Sequence, residues 1–230
     1  MQDAGITAGS VFADPGVVAG YVAEAPRKVP GYADLHRMAM LLLAERAPEE
    51  AVVLVVGAGG GLELNAFAEA QPSWRFVGVD PSAEMLDLAR RVLGPRLARV
   101  DLRQGYVDAV PQGPFDGATC LLTLHFLARD ERLRTLHEIH RRLKPGAPLV
   151  VAHHSHPGDG DPSVWLARSA AFAGGPGVDL TQARASGAKM AELLPLLSVE
   201  ADEAVLREAG FSGVAVFYAG FSFRGWIATA

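Results

Sequence analysis

The chain has 230 residues, half of them apolar and 20% charged, with 21 Lys and Arg against 26 Asp and Glu for a formal net charge of −5. This is the composition of a packed domain rather than a disordered chain, and the acidic balance argues against a general phosphate-binding surface. A single cysteine, Cys120, excludes an internal disulfide and a cysteine-based zinc site, and no apolar run approaches the roughly 20 residues that span a bilayer. The opening MQDAGITAGS has neither a basic n-region nor an apolar core, so no secretory leader and a cytoplasmic location are expected.

In chain order, residues 16–46 read as helices that cover a cleft or a sheet edge. Residues 51–56 (AVVLVV) are a valine-rich run stopped by glycines, as in a strand buried on both faces of a parallel sheet. A helix is predicted over 62–70, with Leu62, Leu64, Phe67 and Ala68 inward. A second strand follows at 75–79, then a helix over 83–93 capped by Ser82, with Met85, Leu86, Ala89 and Leu93 at helical intervals. Strands are predicted at 98–103, 115–124 and 148–153, with a charged amphipathic helix at 129–142 ended by Lys144-Pro145-Gly146.

Beyond the polar connection at 155–163 the spacing predicts helices at 164–173, 181–195 and 200–209, the last closed by Gly210. Residues 213–219 and 221–229 read as strands joined at Gly220, too close for a helical crossover, so they must pair antiparallel. The pattern predicts an α/β fold, a doubly wound seven-stranded sheet that is mostly parallel and ends in an antiparallel hairpin. All of 1–230 reads as one domain: a helical cover (1–46), a cofactor-binding core (47–154), a helical lid insertion (155–200) and a C-terminal helix and hairpin (201–230).

The sharpest local signal is Gly57-Ala58-Gly59-Gly60-Gly61, directly after the first strand. Such glycines let backbone approach a ligand, and the next helix offers its free N–H groups there. Asp80 ends the second strand, nineteen residues beyond Gly61, where a carboxylate can accept hydrogen bonds from a ribose diol. A dinucleotide fingerprint needs a further small residue where Leu62 or Leu64 stands, and no Gly-Lys-Ser/Thr follows for a P-loop. A nicotinamide-dependent reductase is therefore disfavoured.

The G-x-G-x-G that remains resembles motif I of the class I S-adenosylmethionine-dependent methyltransferases. Gly78 to Leu86, Gln104-Gly105-Tyr106-Val107, Phe115 to Ala118 and Leu143 to Gly146 resemble that family's later motifs. A narrower resemblance spans nearly the whole chain. Val29-Pro30-Gly31-Tyr32, Leu43 to Arg46, Thr123 to Leu127, Ser198-Val199-Glu200 and Glu208 to Phe211 look like the carboxy-S-adenosylmethionine synthases of tRNA wobble-uridine modification. The resemblance implies a Rossmann-like fold, S-adenosylmethionine as cofactor and a homodimer. It implies a cofactor site of Tyr32, Gly57, Ala58, Gly59, Gly61, Glu63, Asp80, Pro81, Met85, Tyr106, Val107 and Leu121. Against the family pattern, Val55 replaces an acid, Tyr106 replaces the acid that meets adenine, and Leu121 replaces an asparagine. The synthases' carboxylate-holding arginine falls at Gly187. Glu63 could offset the loss at Val55, and Asp108 the missing adenine contact.

These departures favour ordinary methyl transfer to a small molecule, with synthase activity or a non-catalytic S-adenosylmethionine-binding protein as alternatives. A sulfonium is already an excellent leaving group, so in-line transfer asks mainly for alignment and a dry site. The candidates for a general base are His125, after the fourth strand, and His153 and His154, which end the fifth and point opposite ways. The histidine pair with Asp159 and Asp161 is a weak metal motif, and no metal is expected. His137 and His140 read as a solvated helix face, and His36 and His156 carry no signal. Acceptor specificity is expected from 1–46 and 155–200, with apolar Val17, Tyr21, Trp165, Leu166, Phe172, Met190 and Leu193. Neither segment holds the dense basic and aromatic patch of a nucleic-acid partner, and nothing points to a membrane.

Overall fold

The computed structural model describes residues 15–158 and 160–230. The opening MQDAGITAGS and Asp159 lie outside those residues. Seven strands form one sheet in the order β3-β2-β1-β4-β5-β7-β6. They are β1 Val52–Val56, β2 Arg75–Asp80, β3 Val100–Gln104, β4 Gly117–Leu121, β5 Pro148–His154, β6 Ser212–Gly220 and β7 Phe223–Thr229. The first five pair in parallel, and β7 runs antiparallel between β5 and β6. The eight α-helices described are α1 Pro15–Lys28, α2 Tyr32–Ala44, α3 Leu62–Ala70, α4 Ala83–Leu93, α5 Arg129–His140, α6 Pro162–Gly174, α7 Leu180–Leu193 and α8 Val199–Glu208.

Alternation along β1 divides the core. Val53 and Val55 pack on the face covered by α2 and α3, against Leu35, Leu43, Leu64 and Phe67. Leu54 and Val56 pack on the other face, with Leu136 and Ile139 of α5, Val205 and Leu206 of α8, and Trp226. A strand buried on both faces reads as a continuous apolar run, which is why 51–56 shows no alternation in sequence. Ser82 caps α4 by accepting a hydrogen bond from the Met85 N–H at 3.1 Å.

The hairpin differs from its sequence reading. Gly220 pairs with Phe223, so the two-residue turn is Phe221-Ser222, and the positive φ of 51° falls on Phe221. The fourth strand is shorter than 115–124, because Leu122 turns left-handed at φ 57° and 124–126 forms a 3-10 turn. His140 is half-buried, edge-on to Phe211 with ring centroids 4.9 Å apart, rather than on a solvated face. Among the described residues no helix is long and apolar enough to cross a membrane.

Candidate functional site: a cavity at the carboxyl ends of the parallel strands

A cavity of about 780 Å³ opens where β1, β2 and β4 end and α1 and α2 fold across. Open parallel sheets place ligands at this position. Tyr32, Gly57, Ala58, Gly59, Glu63, Asp80, Pro81, Met85, Tyr106, Val107 and Leu121 all line it, as does Asp108. Gly61 does not. It sits at φ 78° at the start of α3, and a Cβ there would lie 2.8 Å from Ala89 Cα. Its absent side chain lets α4 approach the loop and touches no ligand space. Gly57, at φ 76°, is pressed against the Thr123 side chain, so only glycine leaves this wall as it stands.

Asp80 is aimed by backbone. Gly59 N–H donates to Oδ2 and Ser82 N–H to Oδ1, each at 2.9 Å. Burial raises its pKa, and those two hydrogen bonds partly oppose the rise. Each oxygen keeps lone pairs for a diol presented from the cavity. Gly57 and Ala58 N–H groups both donate to Val79 O, which locks the loop onto β2.

Glu63 is buried in the first turn of α3, and its carboxyl accepts a hydrogen bond from Thr119 Oγ1. Thr119 is the register partner of Val55, itself fully buried in the core. A carboxyl from the helix therefore reaches the sheet position beside the residue where the family carries an acid. Desolvation pushes its pKa up to about 8, with the Thr119 hydrogen bond opposing. Among the described residues no cationic side chain forms an ion pair with this carboxyl, which lies in the cavity wall.

Sequence reasoning gave Tyr21 only to acceptor specificity and Thr123 and Phe126 only to a resemblance motif, and it missed His36, Leu122 and the α5 side chains Glu131, Arg134 and Thr135 in this wall. His36 had a usable signal, since it lies one helical turn after Tyr32. The two rings are edge-on with centroids 4.4 Å apart, and burial lowers the His36 pKa to about 4. The Tyr21 and Tyr32 hydroxyls are hydrogen-bonded to each other, so α1 and α2 close the cavity together.

The three candidate bases part company. His153 is removed from the cleft. It packs on the opposite face beside Trp226, with Nε2 3.8 Å from Asp202 Oδ1, and neither cavity touches it. His125 and His154 lie together, ring centroids 4.9 Å apart, in the wall of a smaller neighbouring cavity. Desolvation lowers both pKa values, that of His154 to about 3, so both rings are neutral. Alternation along β5 thus separates His153 from His154, and strand order decides which one meets the cleft. Among the described residues no three His, Cys, Asp or Glu side chains form a metal-ligand group.

Gly187 is far from any cavity role. It sits where α6 and α7 cross, and a Cβ there would lie 2.5 Å from Ala167 N and 2.6 Å from Ser163 O. A side chain at this place meets the backbone of the neighbouring helix first, and Gly187 is not among the residues that line the cavity.

A family model described as a methyltransferase domain matches residues 53–146. The chain is similar to the carboxy-S-adenosyl-L-methionine synthase of Chromohalobacter salexigens, 26% identical over 204 residues, covering 86% of this chain and 76% of that protein. It is also similar to the trans-aconitate 2-methyltransferase of Azoarcus sp., 33% identical over 123 residues, 52% of this chain and 46% of that one. Among solved structures, a Nostoc punctiforme protein assigned as an O-methyltransferase superposes with a TM-score of 0.69 at 20% identity, over 94% of this chain. This chain spans 60% of that structure's length, and the likeness is one of fold.

Proposed function

We propose, from the premise that this chain is a class I S-adenosylmethionine-dependent methyltransferase, that it methylates a small molecule by in-line transfer. The observation that carries this reading is the cavity of about 780 Å³ with eleven of the twelve expected cofactor residues in its wall. The residues fit the cofactor, which when bound supplies a methyl group already activated on a sulfonium. Asp80, with both oxygens oriented by Gly59 and Ser82 N–H groups, accepts hydrogen bonds from the ribose hydroxyls. Glu63 faces the ammonium of the methionine portion. Tyr106, Val107 and Asp108, beyond the end of β3, shape the adenine end. Tyr21 and Tyr32 close over the middle and exclude water, which strengthens every electrostatic contact inside.

His125 and His154, neutral and buried, offer hydrogen-bonding nitrogens to the acceptor's reacting group. The net charge of −5 and the largely apolar covering of α1 favour a small organic acceptor over a nucleic acid. The experiment is calorimetric titration with S-adenosylmethionine. Micromolar binding is expected, and Asp80→Ala should weaken it about 10- to 150-fold, the equivalent of hydrogen bonds to a charged group. Unchanged affinity in a folded Asp80→Ala protein would remove Asp80 from the site.

A second reading, carboxy-S-adenosylmethionine synthase activity, has the similarity over 86% of the chain in its favour. Gly187, buried at a helix crossing, speaks against it. Native mass spectrometry of the purified protein separates the two. A retained mass of S-adenosylmethionine plus one carboxylate would favour the synthase, and S-adenosylmethionine alone the transferase.

A further inference from the structure

Next to the cofactor cavity a second hollow of about 300 Å³ lies under α1. Val17, Ala25 and Val29 line it from above, and Phe223 lines it from β7. Tyr21, Leu122 and Phe126 belong to both cavity walls, so the two spaces adjoin. At this junction Leu122 holds a φ of 57°, a left-handed conformation that a branched residue adopts only when its surroundings impose it.

Two imidazoles are buried polar groups of this wall, whose Glu24 and Lys28 are exposed. His125 is 6% exposed, and its Nδ1 has no hydrogen-bond partner among the described residues. His154 is fixed from behind. Its Nδ1 lies 2.7 Å from Ser222 Oγ, and Ser222 Oγ lies 2.6 Å from Ser169 Oγ of α6. Its ring stacks on Phe223 with centroids 3.9 Å apart. The chain thus commits one nitrogen of His154 to a serine pair and leaves the ring no freedom to swing.

A neutral imidazole carries one donor and one acceptor nitrogen. A buried ring nitrogen without a partner is costly until a donor or acceptor reaches it. A hydroxyl group, which both donates and accepts, meets such a nitrogen in either tautomer. An anion would meet two neutral rings, and the cation that the described residues give this wall, Lys28, is exposed, as is Glu24. The volume is about twice that which accommodates benzene, so it fits one or two rings.

We propose that this hollow is the methyl-acceptor pocket, and that it takes a compact, largely apolar molecule whose neutral hydroxyl meets His125 and His154. The assignment rests on the methyltransferase reading above. Ser222 and Ser169 are positioning residues, acting through His154 and tying helix α6 to the pocket.

The test uses the whole chain saturated with S-adenosylhomocysteine and three probes of one shape: 4-ethylphenol, ethylbenzene and 4-ethylbenzoate. Binding is followed by the imidazole ¹⁵N resonances of His125 and His154. The phenol should saturate, shift both rings and bind at least tenfold more tightly than the other two. Gly20→Leu fills the hollow from α1, where a Cβ meets only Glu24 Cγ at 3.7 Å. It should weaken the phenol at least tenfold and change S-adenosylhomocysteine affinity less than twofold, with Ala25→Phe as a second blocking variant. Tighter binding of the benzoate would overturn the hydroxyl assignment. Phenol binding that survives both blocking variants, or that leaves the imidazoles unshifted, would overturn the pocket while leaving the methyltransferase reading intact. Failure of S-adenosylhomocysteine itself to bind would remove the methyltransferase reading and the acceptor role together.

Discussion

Glu63 decides how this site answers to pH. Its folded pKa of about 8 stands well above the ordinary carboxylate value because burial penalises the charged form. The folded protein therefore holds a proton that the unfolded chain releases between about pH 4.5 and 8, so this group's contribution to stability is present below that window and falls as pH rises through it. Cofactor binding has the opposite sense, since a cationic ligand favours the carboxylate. Binding near pH 6.5 should release a proton, and affinity should rise between pH 6 and 7. Calorimetry in buffers of different ionisation enthalpy counts that proton. His36 and His154, with pKa values of about 4 and 3, stay neutral across this range. Glu63→Gln should abolish the release and flatten the pH dependence, and release that persists in Glu63→Gln would assign the proton to another group.

At the scale of elements, α6 and α7 form a helix pair held by close approach. α6 and α7 meet at Gly187, where backbone of one helix touches the space a side chain would fill on the other. Each helix starts on an aspartate cap, Asp161 accepting from Ser163 N–H and Asp179 from Thr181 N–H, both at 2.8 Å. Gly187→Leu must push the helices apart. Overpacking of this kind costs about 1–3 kcal/mol and can exceed it against backbone, outweighing the gain of about 1 kcal/mol in helix propensity. The variant should melt several degrees lower and expose the amides of 162–193 to faster hydrogen exchange, with the amides of β1 and β4 unchanged. Equal protection in both proteins would show that the crossing tolerates a side chain. The sequence located both helices to within two residues. It could not show that Gly187 faces a partner helix rather than the cofactor, because that depends on which face each helix turns inward.

For the whole molecule, one buried ion pair joins parts distant in sequence. Arg132 of α5 and Asp202 of α8 are each almost fully buried and hydrogen-bonded to one another. Arg132 also donates to Pro195 O at 3.0 Å, and His153 stands beside Asp202. A buried charge without its partner costs about 3–5 kcal/mol. Arg132→Met should therefore lower the melting temperature by about 6–20 °C at the usual 2–4 °C per kcal/mol. The double variant Arg132→Met with Asp202→Leu should recover part of the loss. A double variant no more stable than the single would show that Arg132 acts through its hydrogen bonds to backbone rather than through the charge of Asp202.

The sequence by itself determined the positions of the parallel strands, the antiparallel hairpin, the glycine loop and Asp80 as the acid facing it. Those features are local: valine runs, caps, turn glycines and a fixed spacing between a loop and the end of the next strand each depend on a few neighbouring residues. Only the tertiary structure decided the rest. It brought Glu63 to Thr119 beside Val55, and laid Tyr21 and His36 into a cavity whose other wall is more than eighty residues away. It sent His153 to the α8 face while joining His154 to His125, Ser222 and Ser169. The physical reason is that a side chain's surroundings are set by layers packed from distant segments, and no spacing along the chain records which layers meet.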